Sequence, residues 1–537
     1  MTPECPNPST RTSLPPNPIL PGFHPDPSLI QVGDVYVLAN STFEWWPGIA
    51  LHTSVDLQSW APAGYVFTDP GDLDLRDVPD SGGLWAPSLS HDGSRYWLVV
   101  GAVHTWSGPF KDIDVFLTTA SDLEGPWTKP VRLGGGGFDP SIFHDEDGRH
   151  WLLNMRWDHR PDNFSFAGVT LQEINETDVV GEERLILTSE ELLEGPNLYV
   201  HDGWFHLMLA EGGTGWNHGI RTGRSRFIEG PYDLDPEPLL TTRDNWQWPL
   251  QKAGHGELVR GPNGEWVLVH LASRPLLSTT GPVCVLGRET CLQEVEWIDG
   301  RLRLIGGGHW PARASALDQP LPYPSGFEDT FDGDALDPRW LTLREPADPS
   351  WVDLSTRPGW LRLRGRRSVF ASVGVSLIAT RLLSTHCAIA TKLAVKPRLH
   401  AQRAGLGLWY DRRGHHLVTV TCYDGRAELV VSSTDGDRYH ETRSGILVDE
   451  WPSVHLRASI DGLVLRFEAS PDGDGWRHVG KPLDMASLSD DWGGALRFTG
   501  TMIVLFAEDT GPGTMSAEFA GVSVISQTDD PSAKAPS

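Results

Sequence analysis

Two acidic residues share one position in a pattern that recurs along the chain, and a third stands one residue ahead of it. Asp26 opens the segment DPSLIQVGDVYVLAN, Asp139 opens DPSIFHDEDGRHWLLNM, and Glu194 stands one residue ahead of GPNLYVHDGWFHLMLA. Two further copies, APSLSHDGSRYWLVVG from Ala86 and HGELVRGPNGEWVLVH from His255, complete a set of five, with Trp85 one residue ahead of Ala86. Taken singly, an Asp-Pro or Gly-Pro step is an ordinary turn former. Three acids at one register of a repeat converge in space although they are far apart in sequence. A carboxylic acid can then protonate a leaving oxygen while a carboxylate activates water on the other face of the scissile bond, and a third carboxylate nearby raises the pKa of the acid. Acids that lack the spacing of a metal cage suit hydrolysis of a glycosidic bond.

The repeat predicts the elements that bring these groups together. Each copy has a short apolar strand, a turn rich in Gly or Asp, and a second strand of aromatic and β-branched residues, which is a hairpin signal. The copies start 53–60 residues apart, the spacing of four-stranded propeller blades. The segments SVDLQSW from Ser54, SDLEGPW from Ser121 and SRFIEGPY from Ser225 repeat the outer turns. The expected fold is all-β: a five-bladed β-propeller over residues 16–316, with residues 309–311 near the end of the last blade. First strands line the axis, so Asp26, Ala86, Asp139, Gly195 and His255 should meet at one mouth. A Pro-rich stretch, LDQPLPYPSG, reads as a linker at 317–326. Short alternating segments such as WLRLRG, AGLGLWY, HLVTVTCY and MIVLFAE then predict a β-sandwich at 327–526. Tails are expected at 1–15 and 527–537.

Composition narrows the partners. The 537 residues carry a formal net charge of −27, which argues against nucleic acid and anionic membranes and is compatible with a neutral sugar. The 23 Trp offer core packing and, in part, indole faces on which pyranose C–H groups stack. Five scattered cysteines indicate no disulfide framework. The Pro-rich start lacks the apolar stretch of a signal peptide, and no apolar run is long enough to span a membrane, so a cytoplasmic location is expected. The sequence leaves self-association into a homo-oligomer open.

Seven stretches carry a closer likeness: PGFHPDPSLI, STFEWWPGIALHTSVDLQSW, GGLWAPSLS, GGGGFDPSIFHDEDGRHWLL, LLEGPNLYVHDGWFHLMLAEGGTG, LQKAGHGELV and LGRETCLQEVEW. In order and spacing they resemble glycoside hydrolase family 43, above all its two-domain β-xylosidases, and FTGTMIVLFAEDTG resembles the last sandwich segment of the same enzymes. The resemblance implies an inverting, exo-acting hydrolase that releases D-xylose from the non-reducing end of β-1,4-xylo-oligosaccharides. It implies Asp26 as general base, Asp139 as the acid that tunes and orients the catalytic acid, and Glu194 as general acid. Phe43 and Trp85 correspond to aromatic walls of the sugar site. Arg288 corresponds to an arginine that bonds the sugar and sits near the catalytic acid, and Thr214 and His255 to pocket residues. Arg274 and His270 are weaker pocket candidates, and His24 is expected only to shape the entry turn. A sandwich loop at 498–502, with Phe498 and Met502, is expected to close the pocket. No cofactor is required for the chemistry, although some relatives hold calcium near the equivalent of His255. Asn197 stands where many relatives have His, and the Trp45–Trp46 pair and the loop at 214–219 also depart from the commonest pattern. These departures bear on which pentose fits. Two other readings stay open: an α-L-arabinofuranosidase or bifunctional enzyme using the same acids on arabinose-substituted oligosaccharides, and a non-catalytic sugar-binding protein, which would need the aromatics but not three acids.

Overall fold

In a computed structural model, which describes residues 14–312, 323–494 and 496–526, every one of the five repeats forms the expected hairpin. In the fourth, His201 pairs with Trp204, so Asp202 and Gly203 alone make the turn. Both have positive φ, 49° and 71°, which is the two-residue turn whose twist matches that of the flanking strands. Two outer strands complete each sheet, with a third short one in the fourth, and the five sheets are the blades of a propeller. The innermost strands are Ser28–Val32, Gly83–His91, Gly137–His144, Leu193–His201 and Gln251–Arg260. They pack side by side in sequence order, and the fifth returns to the first.

The ring is closed by the chain ahead of blade 1. Asn17 exchanges two hydrogen bonds with the backbone of Leu292 in blade 5, and the amides of Ile19 and Leu20 donate to Thr290 O. Glu257 of blade 5 accepts from Ser28 Oγ and Leu29 N of blade 1. Closure therefore uses side chains and a strap rather than a shared sheet.

One local feature repeats in all five blades. Asp26, Ala86, Asp139, Gly195 and His255 have φ of 50°, 44°, 53°, 56° and 45°, the left-handed region that costs a non-glycine residue about 1–2 kcal/mol. In blades 2 to 5 the pairing register slips at this point. A bulge of this kind bends the strand and re-aims its side chains.

Beyond the propeller two sheets stack as a sandwich. One holds, among others, His386–Ala394, Val454–Asp461, Val464–Ser470 and Ser516–Ser526; the other holds Ser376–Arg381, Gln402–Asp411, Gly414–Tyr423 and Met502–Asp509. Leu406, Val418, Leu456, Phe467, Leu505 and Phe519 fill the space between them. Among the described residues the only helices are two short 3-10 turns, Met485–Ser487 and Trp492–Gly494, and no helix is long and apolar enough to cross a membrane. Cys284, Cys291, Cys387 and Cys422 are free and buried. Of the expected tails and linker, residues 1–13, 317–322 and 527–537 lie outside the described residues.

The two units share a core. The Trp45–Trp46 strand pairs with Leu341–Leu343 at the edge of a sandwich sheet, and Phe23, Phe43 and Trp45 pack with Leu343, Trp409, Met502 and Phe506. This corrects the reading of the Trp45–Trp46 pair as a variation bearing on which pentose fits. Both indoles are buried: Trp45 packs in the domain junction and Trp46 in the core between the first two blades. Lys252 of blade 5 adds a buried ion pair with Asp490 and Asp491 of the sandwich, at 2.9 and 2.8 Å.

Candidate active site

The innermost strands all enter the ring at one mouth, and the structure brings the three predicted acids together there. Asp26 is 4% exposed. Its Oδ1 accepts from Arg288 Nη1 at 2.7 Å and its Oδ2 from Ser41 Oγ at 2.7 Å. Ser41 Oγ in turn accepts from the amide of Ala86 at 2.8 Å, so the bulge of blade 2, which carries no reactive group, holds the partner of Asp26.

Asp139 and Glu194 are each 8% exposed. Burial, then the charge of Asp26, raises Glu194 to about 7, against the pull of Arg288 and Lys111. Burial also holds Asp139 well above the usual carboxylate range, reinforced by Glu194 and Asp26 and opposed by Arg288 and a hydrogen bond from Gly195 N. The two acids therefore titrate together, and their protons belong to the pair. Glycine at 195 has a steric reason besides its φ: a Cβ there would lie 3.2 Å from Cε1 of His255. Burial keeps His255 below the ordinary histidine range and therefore neutral.

Arg288 ties the mouth to the sandwich. Besides Asp26 it donates to Thr214 Oγ1 at 2.9 Å and to Phe498 O at 2.8 Å, and its guanidinium lies over the Phe43 ring at 5.5 Å. The expectation placed this arginine near the catalytic acid; its direct partner is Asp26, and it reaches Glu194 only through its field. The preceding Gly287, at φ 80°, lets the loop approach the sandwich so closely that a Cβ would lie 2.6 Å from Thr499 O.

An aromatic wall faces these groups. The Phe498 ring packs at 5.1 Å from Trp85, 5.0 Å from Trp106 and 6.4 Å from Phe43. Met502 does not line the site. It is fully buried in the cluster behind Phe43, because its strand directs it into the junction core. Arg274 is likewise structural, holding Glu289 in a buried pair at 2.7 Å, and His270 is fully buried with Nδ1 on Leu271 O. His24 spends its Nδ1 on Pro21 O, 2.8 Å away, within the entry turn.

Among the described residues the only cluster of three or more His, Cys, Asp or Glu side chains with metal-ligand spacing is Cys284, Asp490 and Asp491; it does not include His255, and Lys252 pairs with its two carboxylates.

Sequence reasoning passed over Ser41, Lys111 and Trp106. All three belong to connections after second strands. Such connections return to the same mouth as the start of the first strand, so the repeat itself held the signal.

A propeller with three buried carboxylates at one mouth and an aromatic wall completed by a second domain defines a two-domain hydrolase of glycosides. Residues 15–302 match glycosyl hydrolases family 43, and residues 328–524 match the β-xylosidase C-terminal concanavalin A-like domain. The chain belongs to glycosyl hydrolase family 43. It is 38% identical to xylosidase/arabinosidase 43B of Humicola insolens over 94% of this chain and 96% of that protein. It is 37% identical to a xylan 1,3-β-xylosidase of a Vibrio species over 94% and 97%. The crystal structure of xylan β-1,4-xylosidase from Bacillus halodurans C-125 superposes with a TM-score of 0.90 at 42% identity, covering 95% of this chain and 99% of the other.

Proposed function

We propose that this glycoside hydrolase releases D-xylose from the non-reducing end of β-1,4-xylo-oligosaccharides with inversion. Glu194 is the general acid, Asp26 the general base, and Asp139 the group that orients Glu194 and keeps its proton. The observation that carries the reading is the division of labour among buried carboxyls on different blades. Glu194 is raised to about 7 and holds a proton to give, whereas both oxygens of Asp26 accept hydrogen bonds. A base that activates water directly, rather than attacking the sugar, inverts the anomeric centre, and its carboxyl then lies about 6.5–9.5 Å from that of the acid. The Phe498 segment of the sandwich closes one side of the mouth, which favours release of single units. The xylosidase names of the relatives and the β-1,4 linkage in the name of the Bacillus halodurans enzyme support the substrate.

A second activity on α-L-arabinofuranosides has specific support in the xylosidase/arabinosidase name of the Humicola insolens relative. A panel of aryl β-D-xylosides and α-L-arabinofuranosides, with the first product anomer read by proton NMR, tests both readings. Turnover of the xyloside with α-xylose appearing first is expected. β-Xylose as the first product refutes the inverting assignment, and turnover of the arabinofuranoside alone refutes the substrate.

A further inference from the structure

We infer that Ser81 is a positioning residue for the sugar pocket, and that the ion pairs of Asp80 with Arg344 and Arg412 are the strut through which the sandwich holds it. The inference deepens the glycosidase reading and rests on it. Residues 78–81 lie between blades 1 and 2, outside every strand. Ser81 is nonetheless 1% exposed and sits at φ 60°, a conformation that persists for a side-chain-bearing residue only when its surroundings impose it.

The surroundings do so from both sides. Toward the sandwich, Asp80 accepts from Arg344 Nη2 at 2.6 Å and from Arg412 Nε at 2.9 Å. Arg344, itself buried, also donates from Nε to Val78 O at 2.7 Å. Toward the pocket, the same segment fixes three members of the aromatic wall. Trp85 Nε1 donates to Ser81 O at 3.0 Å, Trp106 Nε1 to Asp80 O at 3.2 Å, and the amide of Phe498 to Ser81 Oγ at 3.0 Å. Glu44 accepts the Ser81 amide at 3.2 Å. Two rings of blade 2 and one from a sandwich loop are thus indexed to two adjacent residues. The Ser81 hydroxyl is the member that sets the height of Phe498, while the carbonyl of Phe498 is held separately by Arg288. None of these bonds reaches Asp26, Asp139 or Glu194, so the network governs the fit of the sugar and not the protons.

Ser81→Gly tests this cleanly. Glycine accepts the left-handed conformation and keeps the backbone bonds to Glu44 and Trp85, but removes the acceptor of the Phe498 amide. The expected result is a KM for aryl β-D-xyloside raised about tenfold, the size of one lost buried hydrogen bond. kcat should stay within about threefold and the pH profile unmoved, since the acids keep their partners. Calorimetric binding of free D-xylose should weaken in step. Asp80→Asn should move KM in the same direction and also lower Tm. Unchanged KM and unchanged D-xylose affinity in a folded Ser81→Gly protein overturn the proposal, as does a loss confined to kcat. Should the wild type hydrolyse no pentoside, the function proposed above fails, and D-xylose and L-arabinose binding by wild type and Ser81→Gly still decides this one: weaker binding by the variant upholds it, and equal binding, or none by either protein, overturns it.

Discussion

On the proposed assignment, replacing Glu194 by Gln removes the proton donor while keeping shape, and two separate consequences follow. The first is kinetic. A sugar leaving group needs a proton, and general acid catalysis is worth about 10²–10⁴-fold; a nitrophenolate departs with little help. Glu194→Gln should lose a factor in that range on xylobiose and much less on nitrophenyl β-D-xyloside. The wild-type alkaline limb of kcat/KM, which reports loss of the acid's proton near the raised value of about 7, should disappear. The second is thermodynamic. Glu194 is raised from 4.5 to about 7 by folding, so its favourable contribution is complete below about pH 4.5 and is lost as pH rises through 7. At about 1.4 kcal/mol per pH unit the whole displacement is on the order of 3 kcal/mol, shared with the coupled Asp139. Glutamine has no charge to bury, so Tm of the variant relative to wild type should climb by several degrees between about pH 5 and pH 8. Equal kinetic losses on the two substrates would show that another group is the acid. A Tm difference that does not change with pH would show that Glu194 titrates normally in the folded protein.

Asp26→Ala should lose about 10²–10⁴-fold on both substrates alike, because water is required whatever leaves; a loss seen on xylobiose alone, measured side by side with nitrophenyl xyloside, would contradict its role as base. Deleting residues 327–537 should abolish activity and solubility, since it removes Phe498, the partner of the Arg288 guanidinium, and uncovers Phe23, Phe43 and Trp45. A soluble propeller that cleaves xylobiose at the wild-type rate would show that the sandwich is an appendage.

The blades were legible because their signal is local and repeated. Asp202–Gly203 between apolar strands announces its turn wherever it occurs, and five such hairpins at even spacing leave few alternatives to a propeller. The acids were legible for the same reason, since register within a repeat is position around an axis. What the sequence did not show are contacts made across the ring or between domains. The Trp45–Trp46 pair looks the same whether it faces a sugar or a foreign strand, and only the pairing with Leu341–Leu343 decides. Met502 lies four residues from Phe498, and nothing in that spacing says that one ring covers the mouth while the other side chain points into the junction. Arg288 could reach either Asp26 or Glu194 from the loop ahead of its strand; the bond to Asp26 depends on where Thr214 and Phe498 stand.

The bulges separate what belongs to the architecture from what belongs to the chemistry. Ala86 adopts the same left-handed conformation as Asp26 and Asp139 yet carries nothing that can react. The strain is thus a property of how an innermost strand bends to enter the ring, and it occurs in blades with and without an acid. The acids use a direction the fold already provides, which is why two of them can sit nearly buried on different blades and still face one volume. The cost of that placement is electrostatic. Three buried carboxyls in one mouth cannot all ionise cheaply, and Arg288 supplies compensating charge. Its bonds to Asp26 and to Phe498 O make the sandwich part of that compensation. A substitution that lifts the sandwich loop should therefore disturb not only the aromatic wall but the balance of charge between Asp26 and Glu194. Loosening the amide side of Phe498 through Ser81 leaves that balance alone, whereas loosening its carbonyl side through Arg288 does not.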